Sequence, residues 1–216
     1  MSLAKLLQLA SPTLPVGAYS YSGGLEAACE EGIVTDAASA ERWIGDVLEF
    51  SMARMEAPVL FSFLVSFAEE DSSKAEKTNE LFLASREAAE LRAETVQMGY
   101  SLNRLFKDLG LGEVPVEEPS FPAAFAYAAA QWKIAPDAAL QAYLWAWLEN
   151  QVMAAVKTVP LGQTDGQRIL LSLGNRIEEL VKKAVQMQDE EIGNFAPGLA
   201  LLSAKHETQY SRLFRS

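Results

Sequence analysis

Apolar residues recur at intervals of three and four along nearly the whole chain, and this spacing constrains the fold more than any other feature. An α-helix places residues three or four apart on one face, so the pattern predicts amphipathic helices. No alternation of apolar and polar residues long enough for a half-buried strand is present. We therefore predict an all-α fold, a single-domain bundle of roughly 8–10 helices over residues 1–216.

Polar capping residues and clusters of proline and glycine predict where these helices begin and end. Asp36 is a predicted N-cap. Helices are then predicted over about residues 58–70 and 73–109, the latter with a break near residues 88–93. The prolines of residues 110–122 predict a loop inside the domain rather than a boundary between two domains, because neither half looks self-sufficient.

The second half of the chain shows the same punctuated pattern. Helices are predicted over about residues 123–132 and 138–157, followed by a loop at 159–166. One stripe of the second helix is predicted to consist of Leu140, Leu144, Trp147, Gln151 and Ala155. An amphipathic stripe then runs from Leu170 to Ala184, and a last helix from about Pro197 to Phe214. Capping boxes are predicted from two pairs of residues, Ser73 with Glu76 and Thr164 with Gln167.

Charge and hydropathy exclude two classes of partner. The net charge of −11 argues against nucleic acid, which attracts clustered positive charge, and against an anionic membrane surface. The longest apolar run, residues 57–68, is shorter than the roughly 20 residues that span a bilayer. We expect neither nucleic acid nor a membrane as a partner. The single cysteine, Cys29, fits a reducing, cytoplasmic compartment.

The chain is poor in catalytic groups. It holds one histidine, His206, and one cysteine, whereas a zinc site usually takes three or four such ligands and a serine hydrolase needs a base beside its nucleophile. No phosphate-binding glycine loop is present. The acidic clusters Glu26–Glu31 and Glu87–Glu94 are interpreted as solvated helix faces. We predict a protein that is not an enzyme, with no catalytic residue, cofactor or metal, and that works by binding other proteins.

Three segments have compositions that suit an interface. Residues 9–26 mix prolines and glycines with Tyr19 and Tyr21, and could equally be an irregular segment packed on the bundle. Residues 157–168 could contact a partner through Gln163, Gln167 and Arg168, although their composition alone favours an ordinary connection between helices. Residues 205–216 end in aromatic and arginine side chains, which favours docking into another subunit. Leu202, His206, Tyr210 and Leu213 would share one face of the last helix.

Together these segments resemble the UreF family of urease accessory proteins. The resemblance covers nearly the whole chain, and its first and last motifs are the most specific. The residues that carry it are Ser11-Pro12-x-Leu14-Pro15-x-Gly17-x-Tyr19-Ser20, Ser22-x-Gly24-Leu25-Glu26, Gln97-Met98-Gly99, Pro160-x-Gly162-Gln163 and His206-Glu207-Thr208-Gln209-Tyr210-Ser211-Arg212-Leu213-Phe214-Arg215-Ser216.

The resemblance implies an all-α, cytoplasmic protein without enzymatic activity. Such proteins form homodimers and bind the accessory protein UreD (UreH in some organisms) and the GTPase UreG, and the complex assists GTP-dependent nickel insertion into apo-urease. Mapped on this chain, residues 1–25 and 205–216 are the predicted partner-docking elements. The second is expected on the UreD-like protein, and Tyr19, Tyr21 and Glu26 on the GTPase. The candidate partner-binding residues are Tyr19, Tyr21, Glu26, Gln163, Gln167, Arg168, His206, Glu207, Gln209, Tyr210, Arg212, Leu213, Phe214 and Arg215.

Two alternatives remain open from the sequence. The chain could activate a GTPase by inserting an arginine, with Arg168, Arg212 and Arg215 as candidates, because a well-placed arginine accelerates phosphoryl transfer. It could also carry nickel directly, through Cys29, His206 and carboxylates shared between two subunits.

Overall fold

A computed structural model describes residues 3–216, which form helices joined by turns and contain no strand. The all-α prediction is confirmed. The α-helices are α1 (Leu3–Leu9), α2 (Leu25–Glu30), α3 (Ala37–Val47), α4 (Ala57–Ala68), α5 (Ser72–Ala84), α6 (Ala89–Asp108), α7 (Phe121–Gln131), α8 (Pro136–Thr158), α9 (Gln163–Gly174), α10 (Ile177–Gln186) and α11 (Pro197–His206). Short 3-10 turns cover Ala18–Ser20 and Asp189–Glu191.

A π-helical segment, Leu48–Glu56, joins α3 and α4 into one helix of 32 residues. Two of its carbonyl oxygens bond outside the helix: that of Phe50 accepts from the Phe195 amide at 3.0 Å, and that of Arg54 from the Gly193 amide at 3.1 Å. The long helix is apolar enough to cross a membrane, with a mean hydropathy of 1.3, but 61% of that stretch is buried. It is therefore no clear membrane span and has the composition of a core helix.

Helix α8 runs through the core and packs against α2, α3, α4, α9 and α10. Its predicted stripe is confirmed at Leu140, Leu144, Gln151 and Ala155, which are all buried, whereas Trp147 is only partly buried. Helix α7 is built largely of buried alanines, whose small side chains let α4 and α6 pack closely on it.

Helix α6 crosses the segment before α7 at very short range, and the crossing is at Gly99. A Cβ atom on Gly99 would lie 2.0 Å from the carbonyl oxygen of Pro119. The same segment is fixed from α5 by the buried Asn79, which donates to the Glu118 carbonyl at 2.8 Å and accepts from the Ser120 amide at 3.0 Å. Gly99 therefore permits the contact that sets the start of α7.

Several predicted helix ends differ from the observed ones. Asp36 does cap α3, as predicted, and Ser39 completes its capping box. The predicted box at Ser73 was wrong: Asp71 caps α5 by accepting from the Lys74 amide at 2.9 Å. The break predicted near residues 88–93 lies slightly earlier, between Ala84 and Ala89.

The later boundaries also needed correction. Helix α9 starts at Gln163, before Thr164, and no side chain caps it, so the predicted box of Thr164 with Gln167 was wrong. The stripe from Leu170 to Ala184 is split between α9 and α10, which separate after Gly174. The apolar residues of the sequence keep their helical spacing across this break because both helices bury their apolar faces in the same core.

The last helix ends at His206 rather than near Phe214. A turn follows, in which the amides of Thr208 and Gln209 donate to the carbonyls of Lys205 and His206. The prediction that Tyr210 and Leu213 share a helical face with His206 was therefore wrong. After His206 the backbone forms hydrogen bonds with residues near the start of the chain instead of continuing the helix. The periodicity of a sequence does not reveal such distant partners.

Candidate partner-docking site

Residues 207–216, here called the tail, fold back over α2 and α6 beside residues 18–24. The Arg215 amide donates to the Ser20 carbonyl at 2.8 Å, and the Ser22 amide donates to the Ser216 carbonyl at 2.9 Å. The Ser22 hydroxyl donates to the same Ser216 carbonyl. Two segments of the predicted interface, at the two ends of the sequence, are thus joined through their backbones.

Glu26, in the first turn of α2, binds the backbone of the tail. Its Oε1 accepts from the Leu213 amide at 2.6 Å, and its Oε2 accepts from the Phe214 amide at 2.9 Å. The carboxylate is nearly buried, so each bond contributes more than it would in water. Glu26 therefore anchors two consecutive amides of the tail backbone through one side chain.

Two acidic residues one turn apart on α6 bind tail side chains. Glu90 Oε1 accepts from Arg212 Nη1 at 2.7 Å, and Glu94 Oε2 accepts from the Ser216 hydroxyl at 2.8 Å. The interpretation of these acids as a solvated face was wrong for Glu26, Glu90 and Glu94, because the tail covers them. Glu87, in the same cluster, accepts from the side-chain amide of Asn194.

His206 lies at the point where the tail leaves α11, and it is completely buried. Its Nδ1 is 2.6 Å from Glu90 Oε2, and its Nε2 is 3.1 Å from Glu26 Oε2. The only histidine of the chain thus bridges the two helices that hold the tail.

The bound tail leaves some large side chains in solvent. Tyr210 is fully exposed and Leu213 is 64% exposed. Phe214 is buried, with Lys157 Nζ 5.6 Å from its ring centroid. Tyr19 is exposed, whereas Tyr21 is buried and its carbonyl accepts from the Asn150 side chain. The tail therefore has a fixed backbone, and two large side chains, Tyr210 and Leu213, stand out among its polar exposed residues.

Tyr21, Glu26, His206 and Phe214 were predicted as contacts for a partner, but their side chains are buried inside this chain. They can act on a partner only through the tail whose position they fix. Arg215, Glu207 and Gln209 stay at the surface or partly covered, with the Glu207 carboxylate accepting from the Ala89 amide at 2.8 Å. Direct contact of the exposed members with another protein stays a prediction.

A cavity of about 480 Å³ lies beneath the tail, between residues 9–19, α6 and α8, and Phe214 forms part of its wall. Three of its lining residues, Glu56, Arg86 and Tyr143, form one polar network. Arg86 Nη1 is 2.9 Å from Glu56 Oε1, and the Tyr143 hydroxyl donates to Glu56 Oε2 at 2.5 Å. Burial raises the pKa of Tyr143 well above its ordinary value, and burial raises the pKa of Glu94 to about 7.

The raised pKa of Glu94 predicts a pH-dependent stability. The folded chain keeps this carboxyl protonated where the unfolded chain has already lost the proton, so stability falls as pH rises from about 4.5 to about 7. Glutamine has the same shape, keeps an acceptor for Ser216 and carries no charge. We expect Glu94→Gln to gain stability over the wild type as pH rises through this range, measured by urea unfolding at several pH values. A stability difference that does not change with pH would contradict this assignment.

The remaining predicted contacts form a separate surface on the first two turns of α9. Gln163, Gln167 and Arg168 are exposed. Arg168 pairs only with Asp165, at 2.9 Å, and within residues 3–216 no hydrogen bond or ion pair joins these three residues to the tail. The structure therefore separates the predicted site into two surfaces.

The described part of the chain contains no group of three or more histidine, cysteine or acidic side chains placed to hold a metal ion. The Cys29 thiol faces the Thr158 hydroxyl at 3.6 Å, and burial raises its pKa. A raised pKa lowers the thiolate fraction, and the thiolate is the form that binds metals.

The sequence-based prediction missed Ser20, Ser22, Glu90 and Glu94 as parts of the site. The sequence did hold a signal for Glu90 and Glu94. These two acidic residues lie four apart on one helix face, and their negative charge is complementary to the segment that contains His206 and Arg212. The two serines gave no such signal, because they act partly through backbone atoms that every residue has.

Comparison with known proteins places the chain among urease accessory proteins. A family model described as UreF matches residues 34–174. The chain is 58% identical to the urease accessory protein UreF of Azoarcus sp. (strain BH72), over 100% of this chain and 96% of the relative. It is 52% identical to those of Dechloromonas aromatica (strain RCB) and Janthinobacterium sp. (strain Marseille), over 100% of this chain and 98% of each relative.

Proposed function

The chain belongs to the UreF family of urease accessory proteins, and we propose that it serves urease maturation as a protein-binding scaffold without catalytic activity of its own. Its tail docks on a UreD/UreH-like accessory protein. The complex recruits a UreG-like GTPase and assists GTP-dependent nickel insertion into the urease apoprotein, with nickel as cargo. The proposed compartment is the cytoplasm and the proposed state of the chain a homodimer.

The observation that carries this proposal is a fixed tail that leaves two large side chains, Tyr210 and Leu213, exposed to solvent. Large apolar side chains such as Tyr210 and Leu213 are unfavourable in water, and buried aromatic and aliphatic anchors supply much of the affinity at protein interfaces. The backbone beneath them is already ordered by Glu26. Docking therefore loses little conformational entropy, which favours affinity.

The exposed Tyr19 supports a second contact next to the tail, which we assign to the GTPase. Arg215, beside it, is tied by its amide to the Ser20 carbonyl. The net charge of −11 would accelerate association with a basic partner surface, and added salt would slow it. Of the arginines considered for GTPase activation, Arg168 and Arg212 both pair with an acidic side chain, but the Arg168 side chain is 74% exposed and that of Arg212 only 40%. Arg168 is therefore the better candidate of these two for that alternative.

Removing the two large exposed side chains of the tail, Tyr210 and Leu213, should abolish the complex with the UreD-like protein. We expect the double variant Tyr210→Ser, Leu213→Ser to fold normally, because both side chains are exposed, and to fail to co-purify with that partner. The measurement is co-expression followed by size-exclusion chromatography with mass determination, which also gives the oligomeric state. Leu81→Ser is the control for an exposed leucine, because Leu81 is 64% exposed like Leu213 but lies on α5, which holds no predicted contact. Full retention of the complex by the double variant would refute the docking site.

A further inference from the structure

His206 faces a carboxylate oxygen at each of its two ring nitrogens, and this arrangement constrains its protons. A neutral imidazole carries a hydrogen on one nitrogen and a lone pair on the other. A lone pair directed at an ionised carboxylate oxygen is repelled, and His206 is buried away from water that could separate them. The cluster of Glu26, Glu90 and His206 must therefore hold one proton more than a neutral histidine with two carboxylates.

The other contacts of the cluster place this proton on the imidazole. Glu26 accepts from the Leu213 and Phe214 amides, one at each oxygen, and the two oxygens of Glu90 face Arg212 and His206. Every carboxylate oxygen therefore already faces a donor, so neither acid needs a proton of its own to complete its hydrogen bonds. Two negative charges are then matched by Arg212 and a charged His206, which leaves the buried cluster neutral.

We propose that His206 is a positioning residue whose second proton holds the tail in place. Both ring nitrogens then donate, one to α2 through Glu26 and one to α6 through Glu90, and the same two carboxylates bind the tail. When the imidazole loses the second proton, one carboxylate faces a bare lone pair and the tail loosens. The charged groups around the cluster are Glu94, which binds Ser216, Glu207, which binds the Ala89 amide, and Lys205, which pairs outward with Glu31.

The test uses the full isolated chain, so its outcome does not depend on whether any partner binds. His206 is the only histidine, so the two-bond proton–nitrogen NMR spectrum of the ¹⁵N-labelled protein has one imidazole spin system. We expect both ring nitrogens to carry a proton under conditions in which the Leu213 and Phe214 amides are protected against hydrogen exchange. We also expect the protection factors of these amides to fall as the imidazole is deprotonated. A bare ring nitrogen while these amides are protected, or protection that persists through the deprotonation, would overturn the proposal.

Glu90→Gln separates this role from simple packing. A glutamine amide can donate to Nδ1, so a neutral imidazole then satisfies the cluster, and we expect one bare ring nitrogen at the pH where the wild type has none. Glu80→Gln removes the same charge from an exposed site and should leave the imidazole spectrum unchanged. Two protonated nitrogens retained in folded Glu90→Gln would count against the proposal. If that variant does not fold, the wild-type spectrum decides alone.

Discussion

Replacing Gly99 with alanine should destabilise the fold by about 3 kcal/mol, the upper range for forcing an extra methyl group into a packed interior. The new Cβ would lie 2.0 Å from the Pro119 carbonyl oxygen and 2.7 Å from the Ser120 carbonyl carbon. Both are backbone atoms, which cannot move aside as the end of a flexible side chain can. Because Asn79 holds the same segment from α5, relief of the clash would also break buried hydrogen bonds.

The measurement for Gly99→Ala is the free energy of unfolding from urea denaturation. Gly198→Ala is the matched control, because Gly198 is also helical and has no neighbouring atom within 4 Å of an added Cβ. Alanine there should be neutral or stabilising, since it restricts the unfolded chain. Equal stability of the two variants would contradict the close crossing of α6 over the start of α7.

Replacing Glu26 with alanine should release the tail while leaving the helices folded. The Leu213 and Phe214 amides and one nitrogen of His206 lose their acceptor together. Removing one partner from a buried charged network costs about 3 kcal/mol, which corresponds to roughly a 100-fold loss in protection of the tail amides. Hydrogen exchange of the two amides measures this loss directly, and circular dichroism reports whether the helices persist.

Glu30→Ala is the control for the tail prediction. Glu30 lies one turn further along α2 and is exposed, so its removal changes the same charge on the same helix without touching the tail. We expect the Leu213 and Phe214 amides of Glu30→Ala to be as protected against hydrogen exchange as those of the wild type. Undiminished protection in Glu26→Ala would show that the Ser20, Ser22 and α6 contacts suffice to hold the tail.

The sequence predicted the fold class and most helices because these depend on local periodicity and capping. Asp36 and the α8 stripe are examples, since each is read within a few turns of one helix. The predicted helix boundaries were wrong where two nearby residues could each cap the helix, as at Asp71 and Ser73. They were also wrong where the apolar stripe continued from α9 into α10.

The sequence indicated which segments belong to the site, but it did not indicate how these segments are arranged in space. The sequence identified the segments around Tyr19 and after His206, yet it extended the last helix through Phe214. The tail is instead set by contacts between residues more than 100 positions apart, such as Glu26 with Leu213 and Glu90 with Arg212. Such pairings depend on how α2, α6 and α11 pack, which no local pattern contains. Gly99 gave no indication of its role for the same reason.

The affinity of this chain for a UreD-like accessory protein, measured by isothermal titration calorimetry with and without residues 207–216, tests the central claim most directly. The cut falls after His206 because that residue completes α11 and is buried. Loss of an interface's main anchors typically costs several kcal/mol, so we predict an affinity loss of at least about 100-fold, with helical content close to that of the wild type. Unchanged affinity in the folded, truncated chain would contradict the assignment of the tail as the docking element.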